Sequence, residues 1–221
     1  MANKINYYLK SLEELTKIEG QRPRLLLHSC CGPCATFPVK FLSDYFDVTI
    51  LFNNSNIYPK AEHDRRLDEL KRFVSLFNEE YHRSVKVVER PYDNDNYNKD
   101  LQPYANEPEG LTRCVICYTK RMDEAFAYAE KNGYDWFTTV MTISRQKDSQ
   151  ILNRIGAELQ PKYPKTQYFY SDFKKNKGQD ISREMRLKYN LYQQLYCGCK
   201  FTYAKGEAKK NEKLLNGDYE G

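Results

Sequence analysis

The stretch "RLLLHSCCGPC", residues 24–34, decides the fold: a compact apolar run ends directly in three cysteines, two of them adjacent. Five residues are enough for a buried strand and too few for a helix, so Arg24 to His28 is predicted to be a central strand. The cysteines then stand at the strand's carboxyl end.

Working outward, residues 35–45 suit a helix and "DVTILF" (47–52) a second strand rich in β-branched side chains. Leu67, Leu70, Val74 and Phe77 mark the buried face of a long helix starting near Lys60, and "VKVV" (85–88) is a short third strand. The polar stretch at 90–110, full of Pro, Asn, Asp and Gly, reads as loop with room for one helical turn. From Cys117, the positions Arg121, Met122, Ala125, Phe126 and Ala129 continue as a helix that Asn132 and Gly133 close. A fourth strand "DWFTTVM" (135–141), a helix at 147–159 and a fifth strand "QYFYSDF" (167–173) follow. Ile181, Met185, Tyr189 and Tyr192 carry a final helix, and Ile5, Leu9, Leu12, Leu15 and Ile18 carry one before the first strand.

Strands alternating with helices imply parallel pairing through right-handed crossovers. The expectation is α/β: a single Rossmann-like (HUP-like) domain, with a mostly parallel sheet of about five strands flanked by helices, over residues 1–203. A polar, mobile tail follows at 204–221. In such sheets the ligand sits beyond the carboxyl ends of the strands, which is where the first cysteines fall.

The 35 Lys and Arg against 30 Asp and Glu leave a net charge of +5, which permits an acidic partner such as RNA. No apolar run approaches the roughly 20 residues of a membrane span, and the charged start does not resemble a signal peptide. The protein is therefore expected to be cytoplasmic, with no membrane partner. Structural disulfides rarely persist there, so seven cysteines point to metal or redox chemistry. No Walker loop and no glycine-rich dinucleotide fingerprint is present, and a nucleotide cofactor is unsupported.

All seven cysteines are grouped: Cys30, Cys31 and Cys34; Cys114 and Cys117; Cys197 and Cys199. Cysteines used only for packing would scatter through strands and helices. The second group lies where a loop enters a helix, so helix-terminal charge is expected to lower the pKa of Cys114 and Cys117. Two cysteine pairs can make a tetrahedral zinc site. Adjacent Cys30 and Cys31 favour an iron–sulfur site instead, because neighbours on extended backbone point apart and separated irons accept both. Uncoordinated redox thiols are the third chemistry open to these groups. For Cys197 and Cys199, Gly198 permits the sharp bend of a strained, reducible disulfide, and completion of a metal site is the competing reading.

Taken together, "HSCCGPC", "NSNIYP", "TRCVICYTKRM", "FTTVMTIS" and "YCGC" resemble, in order and spacing, the QueH-type epoxyqueuosine reductases. The resemblance implies a cobalamin-independent iron–sulfur oxidoreductase that removes the epoxide oxygen of epoxyqueuosine at the wobble position of tRNA. It implies Cys30, Cys31, Cys114 and Cys117 as ligands of a 4Fe-4S cluster, Cys197 and Cys199 as a redox-active pair, and Cys34 as a candidate ligand of one additional iron. Ser55 stands where the family usually has proline, His63 where tyrosine is frequent, and Gln193 where arginine is usual.

A tRNA partner would be met at the sheet's carboxyl rim by Arg145, Gln146, Lys147 and the "KKNK" of residues 174–177. Tyr189, Tyr192 and Tyr196 are expected on the last helix, within reach of the wobble base or in the core. His28 is expected to be buried beside the cysteines, His63 and His82 to be exposed, and Arg65 and Arg66 to pair with acids on a helix surface. The alternatives are another tRNA-modifying enzyme of related fold, which the absent phosphate loop disfavours, and a zinc-stabilised RNA-binding module.

Overall fold

The computed structural model describes residues 4–216. Its chain runs α1 (Tyr7–Thr16), β1 (Arg24–His28), α2 (Gly32–Leu42), β2 (Asp47–Phe52), α3 (Lys60–Tyr81), β3 (Lys86–Glu89), α4 (Asn94–Asn98), α5 (Thr112–Lys131), β4 (Trp136–Thr139), α6 (Ser149–Leu159), β5 (Gln167–Tyr168), α7 (Gly178–Lys188) and α8 (Tyr203–Leu215). The five strands are parallel in the order β3-β2-β1-β4-β5, so the expected α/β class is the observed one.

Alternation along β1 explains the layers. Leu25 and Leu27 face a core with α2, α3, Phe46, Trp136 and Phe169, while Leu26 faces a second core with α5, α6, Phe137 and Tyr168. A strand buried on both faces reads as an unbroken apolar run, as "LLL" does. Among the described residues no helix is long and apolar enough to cross a membrane.

The chain leaves β1 toward β2 and β3 on one side, and returns to lay β4 and β5 on the other. The order reverses between β1 and β4, which makes their carboxyl ends the topological switch point where such sheets bind ligands.

Several expectations change in detail. β5 spans only Gln167–Tyr168: beyond Phe169, whose N–H still reaches Phe137 O at 2.8 Å, the side chain of Asn153 takes over the pairing of Ser171. β4 stops at Thr139 and continues as a 3-10 turn over Val140–Ile143. α7 ends at Lys188, because Asn190 turns left-handed at φ 46°, so Tyr189, Tyr192 and Tyr196 are not on a common helix. Residues 204–215, placed in the expected mobile tail, belong to α8 (Tyr203–Leu215); residues 217–221 of that tail lie outside the described residues. α1 forms, but Ile5, Leu9 and Leu12 are exposed and its buried face is Tyr7, Ser11, Glu14 and Leu15, with Tyr7 stacked on Tyr170.

A candidate polythiol centre at the switch point

β1 delivers His28, Ser29 and Cys30 to the end of the sheet. Cys31, extended at φ −174°, caps α2, and Cys34 falls in that helix's first turn. α2 can start this close to α3 because Gly32 has no side chain: a Cβ there would stand 3.1 Å from Glu69 O. The result brings the sulfurs of Cys30, Cys31 and Cys34 within 4.8 Å of one another, a group that can hold a metal ion. The adjacent pair does not splay as expected. Its sulfurs are 3.9 Å apart, because the chain turns into the helix directly after Cys31.

Cys30 and Cys31 are buried and Cys34 is half-buried. Hydrogen bonds from Cys31 and then Cys34 hold the Cys30 thiol well below its ordinary value. Burial drives Cys31 the other way, and the shared proton with Cys30 pushes Cys34 up to about 12. Of the three, Cys30 is the one whose anionic form the arrangement favours. Gln194 closes it, its Nε2 donating to Cys31 Sγ at 3.0 Å.

Cys114 and Cys117 occupy the first turns of α5 and are outside this triad. Gly110 N–H donates to Cys114 Sγ at 3.2 Å, and Tyr97 Oη–H to Cys117 Sγ at 3.3 Å. The helix start does not lower Cys114 as expected: burial outweighs it and raises the pKa.

Cys197 and Cys199 are free thiols, and Gly198 between them adopts φ +101°. Burial pushes Cys199 up to about 12. Their segment is fastened to the "NSNIYP" loop: Tyr58 N–H donates to Gly198 O at 2.7 Å, and Ile57 and Cys199 form an antiparallel bridge. Arg66 fastens it from α3, donating to Cys197 O at 3.1 Å and Tyr196 O at 3.2 Å while paired to Glu62 at 2.7 Å. Arg66 does pair with an acid, but it is buried, not on the helix surface.

Two cations join the cysteine groups. Arg121 is 2% exposed, and its Nε and Nη2 have no hydrogen-bond partner among the described residues. Burial opposes its charge, yet Cys117, Tyr97, Cys197 and Cys30 together hold it above arginine's usual range. Lys147 behaves likewise, burial being outweighed by Cys197 and Cys30. It is half-buried, near enough to the thiols for them to hold its charge, and it also lines an open cavity with Arg145 and Gln146 at the rim where it was expected. Lys174 is also engaged, donating to Thr142 O at 2.8 Å; Arg145, Gln146, Lys175 and Lys177 are exposed.

His28 is buried, as its place on β1 implies, and bonded to Thr139 Oγ1 at 2.7 Å. Burial and then Arg121 lower its pKa to about 3, so the ring stays neutral. His82 is exposed as expected, but His63 is buried between Phe52 and Tyr92. Its i+4 and i+7 neighbours Leu67 and Leu70 were the signal for that face. Arg121, Gln194 and Tyr97 were not singled out as site residues by sequence. Only the helical spacing of Arg121 from Cys114 and Cys117 hinted at its place.

Fold and site together define the class: a doubly wound α/β protein with a polythiol centre at its switch point, backed by buried positive charge. Residues 25–205 match the family model described as "Epoxyqueuosine reductase QueH", and the chain belongs to that family. It is 42% identical over 202 residues to a protein named Epoxyqueuosine reductase QueH in Staphylococcus aureus, covering 90% of this chain and 84% of that protein. It is 40% identical over 206 residues to one of the same name in Staphylococcus epidermidis, covering 91% and 86%. A Thermotoga maritima protein of that name is 25% identical over 191 residues, covering 85% and 94%.

Proposed function

We propose that this protein is an oxidoreductase that reduces the epoxide of epoxyqueuosine in tRNA to the alkene of queuosine. The observation that carries the reading is the agreement of family membership over residues 25–205 with a metal-competent thiol triad at the switch point. The change takes two electrons and two protons, and oxygen leaves as water.

The donor set suits a soft, thiolate-bound iron centre. Arg121 supplies the physical fit: a buried guanidinium with orphaned N–H groups calls for a compensating anion, and a cluster ligated by thiolates is one. The proposed ligands are Cys30, Cys31, Cys114 and Cys117 for a 4Fe-4S cluster, with Cys34 as candidate ligand of one additional iron. When bound, these centres supply electrons singly and Lewis acidity toward the epoxide oxygen.

The chain's own residues do the rest. Gln194 orients Cys31 and Cys34 by donating to their sulfurs. Lys147, whose charge Cys197 and Cys30 hold, would offer positive charge to the departing oxygen in a site where such charge is weakly screened. Cys197 and Cys199 form a dithiol whose oxidation to a disulfide releases two electrons and two protons, the number the epoxide consumes.

The test is turnover under anaerobic conditions on tRNA bearing epoxyqueuosine, read by mass spectrometry of the nucleosides. Loss of one oxygen with formation of queuosine is expected; an untouched epoxide in the presence of a chemical reductant overturns the reading.

A further inference from the structure

We propose that the arginine-lined pocket beside Cys34 is a phosphate-binding subsite for the RNA backbone next to the nucleoside being reduced. The inference rests on the function proposed above. The pocket, about 470 Å³, has Cys34 in its wall with Arg145, Arg183, Arg186, Gln193 and Gln194. It opens directly on the half-buried member of the triad.

Charge gives the pocket its chemistry. Among the described residues no carboxylate lines it. Arg183 and Arg186 make no side-chain hydrogen bond or ion pair among the described residues, and Arg145 meets only the neutral Gln179 Oε1, at 2.8 Å. Spaced three apart on α7, Arg183 and Arg186 share a helix face. Other cations of the same region are neutralised: Lys188, also on α7, pairs with Glu80, and Arg72 pairs with Glu69. Three unpaired guanidinium groups around one concavity repel one another, and an oxyanion with several acceptors relieves that repulsion. The planar fork of arginine matches phosphate oxygens in pairs.

The occupant follows from continuity. Arg145 also borders a neighbouring cavity of about 780 Å³, lined by Lys147, Lys174 and Lys175, that extends along the sheet's carboxyl edge. Of its two carboxylates among the described residues, Asp148 caps α6, and Asp172, bonded to Ser149, neutralises Lys174, so Lys147 and Lys175 carry the free charge. Basic character therefore runs past Cys34 as a track, and a polyanion threaded along it presents successive phosphates. α7 is a rigid support for this, since Ser182 accepts from Thr36 Oγ1 at 3.0 Å and ties it to α2.

The experiment measures binding of an unmodified tRNA anticodon stem–loop at several salt concentrations, so that affinity is read apart from chemistry. For Arg183→Ala/Arg186→Ala the slope of log affinity against log salt should become shallower by about 1.4, roughly 0.7 for each phosphate of single-stranded RNA that is no longer neutralised. Arg→Lys at both positions should restore most of the slope. Lys131→Ala, at the far end of α5, should leave it unchanged. A double alanine variant that is folded by circular dichroism and keeps the wild-type slope overturns the subsite while leaving the reductase reading intact. A wild-type protein without measurable affinity for the stem–loop overturns both.

Discussion

His28 Nδ1 at the end of β1 lies 2.7 Å from Thr139 Oγ1 at the end of β4, and this bond pins the two strands together where the sheet's order reverses. Thr139 Oγ1 also accepts from Met141 N–H at 3.1 Å, so one hydroxyl sets both the strand ends and the turn that leads toward Lys147. The cysteine triad begins two residues beyond His28.

Thr139→Val keeps the shape of that hydroxyl side chain and removes its hydrogen bonds. Leaving buried partners unsatisfied should cost about 1–3 kcal/mol. Urea denaturation of the metal-free protein checks it. Stability within error of wild type would show that the His28 bond is not what holds the switch point.

Gly198→Ala should disconnect the Cys197–Cys199 segment. The position has φ +101°, and a Cβ there would meet Arg66 Nη1 at 2.8 Å and Ile57 Cγ1 at 3.1 Å. Backbone strain alone is worth about 1–2 kcal/mol for an L-residue. Hydrogen exchange should speed up at Tyr58 N–H, the partner of Gly198 O, while exchange in β1 stays unchanged. Unaltered protection at Tyr58 would contradict this picture.

His63→Tyr should flatten the acid side of the stability profile. Burial lowers the His63 pKa from 6.5, against the pull of Asp64, so below pH 6.5 the unfolded chain binds a proton that the folded protein refuses. Stability therefore falls on acidification, by at most about 1.4 kcal/mol per pH unit for this group. His28, whose pKa is lowered to about 3, sustains part of the slope in the variant. Asp64, lowered from 3.8, contributes only at more acidic pH. Denaturation midpoints across pH should show the shallower slope; an identical profile would mean His63 is protonated in the folded protein.

The same residue shows what a sequence can and cannot convey. β1 was legible because three consecutive leucines have no other place in a small α/β protein, and the grouping of every cysteine was legible because packing would not produce it. His63 looked exposed because charged residues surround it in sequence, although periodicity placed it on the apolar face. The length of β5 was not legible: its pairing passes from backbone to the Asn153 side chain, a tertiary event. The convergence of Cys30, Cys31 and Cys34 depends on the abrupt entry into α2, which Gly32 and Pro33 permit. Arg121 was read as a position on a helix face, and its function as a buried counter-charge required seeing which thiols stand opposite.

Arg121→Met separates structural from functional use of that charge. Replacing the buried guanidinium, whose Nε and Nη2 make no hydrogen bond among the described residues, by an apolar side chain of similar length should leave the stability of the metal-free protein unchanged or raise it by up to about 4 kcal/mol. The same change should make reconstituted protein lose iron to a chelator faster than wild type does. Opposite signs in the two measurements are the signature of a charge kept for an anionic ligand. A variant that is destabilised without metal and retains iron normally would assign Arg121 to the core alone.

Iron K-edge X-ray absorption on anaerobically reconstituted protein tests the central claim, that separate cysteine groups share one metal centre. A shared cluster gives a sulfur-dominated first shell with iron–iron scattering beyond it, and that scattering is lost in Cys30→Ser and in Cys117→Ser. A shell of oxygen and nitrogen, or a spectrum unchanged by both substitutions, would contradict it.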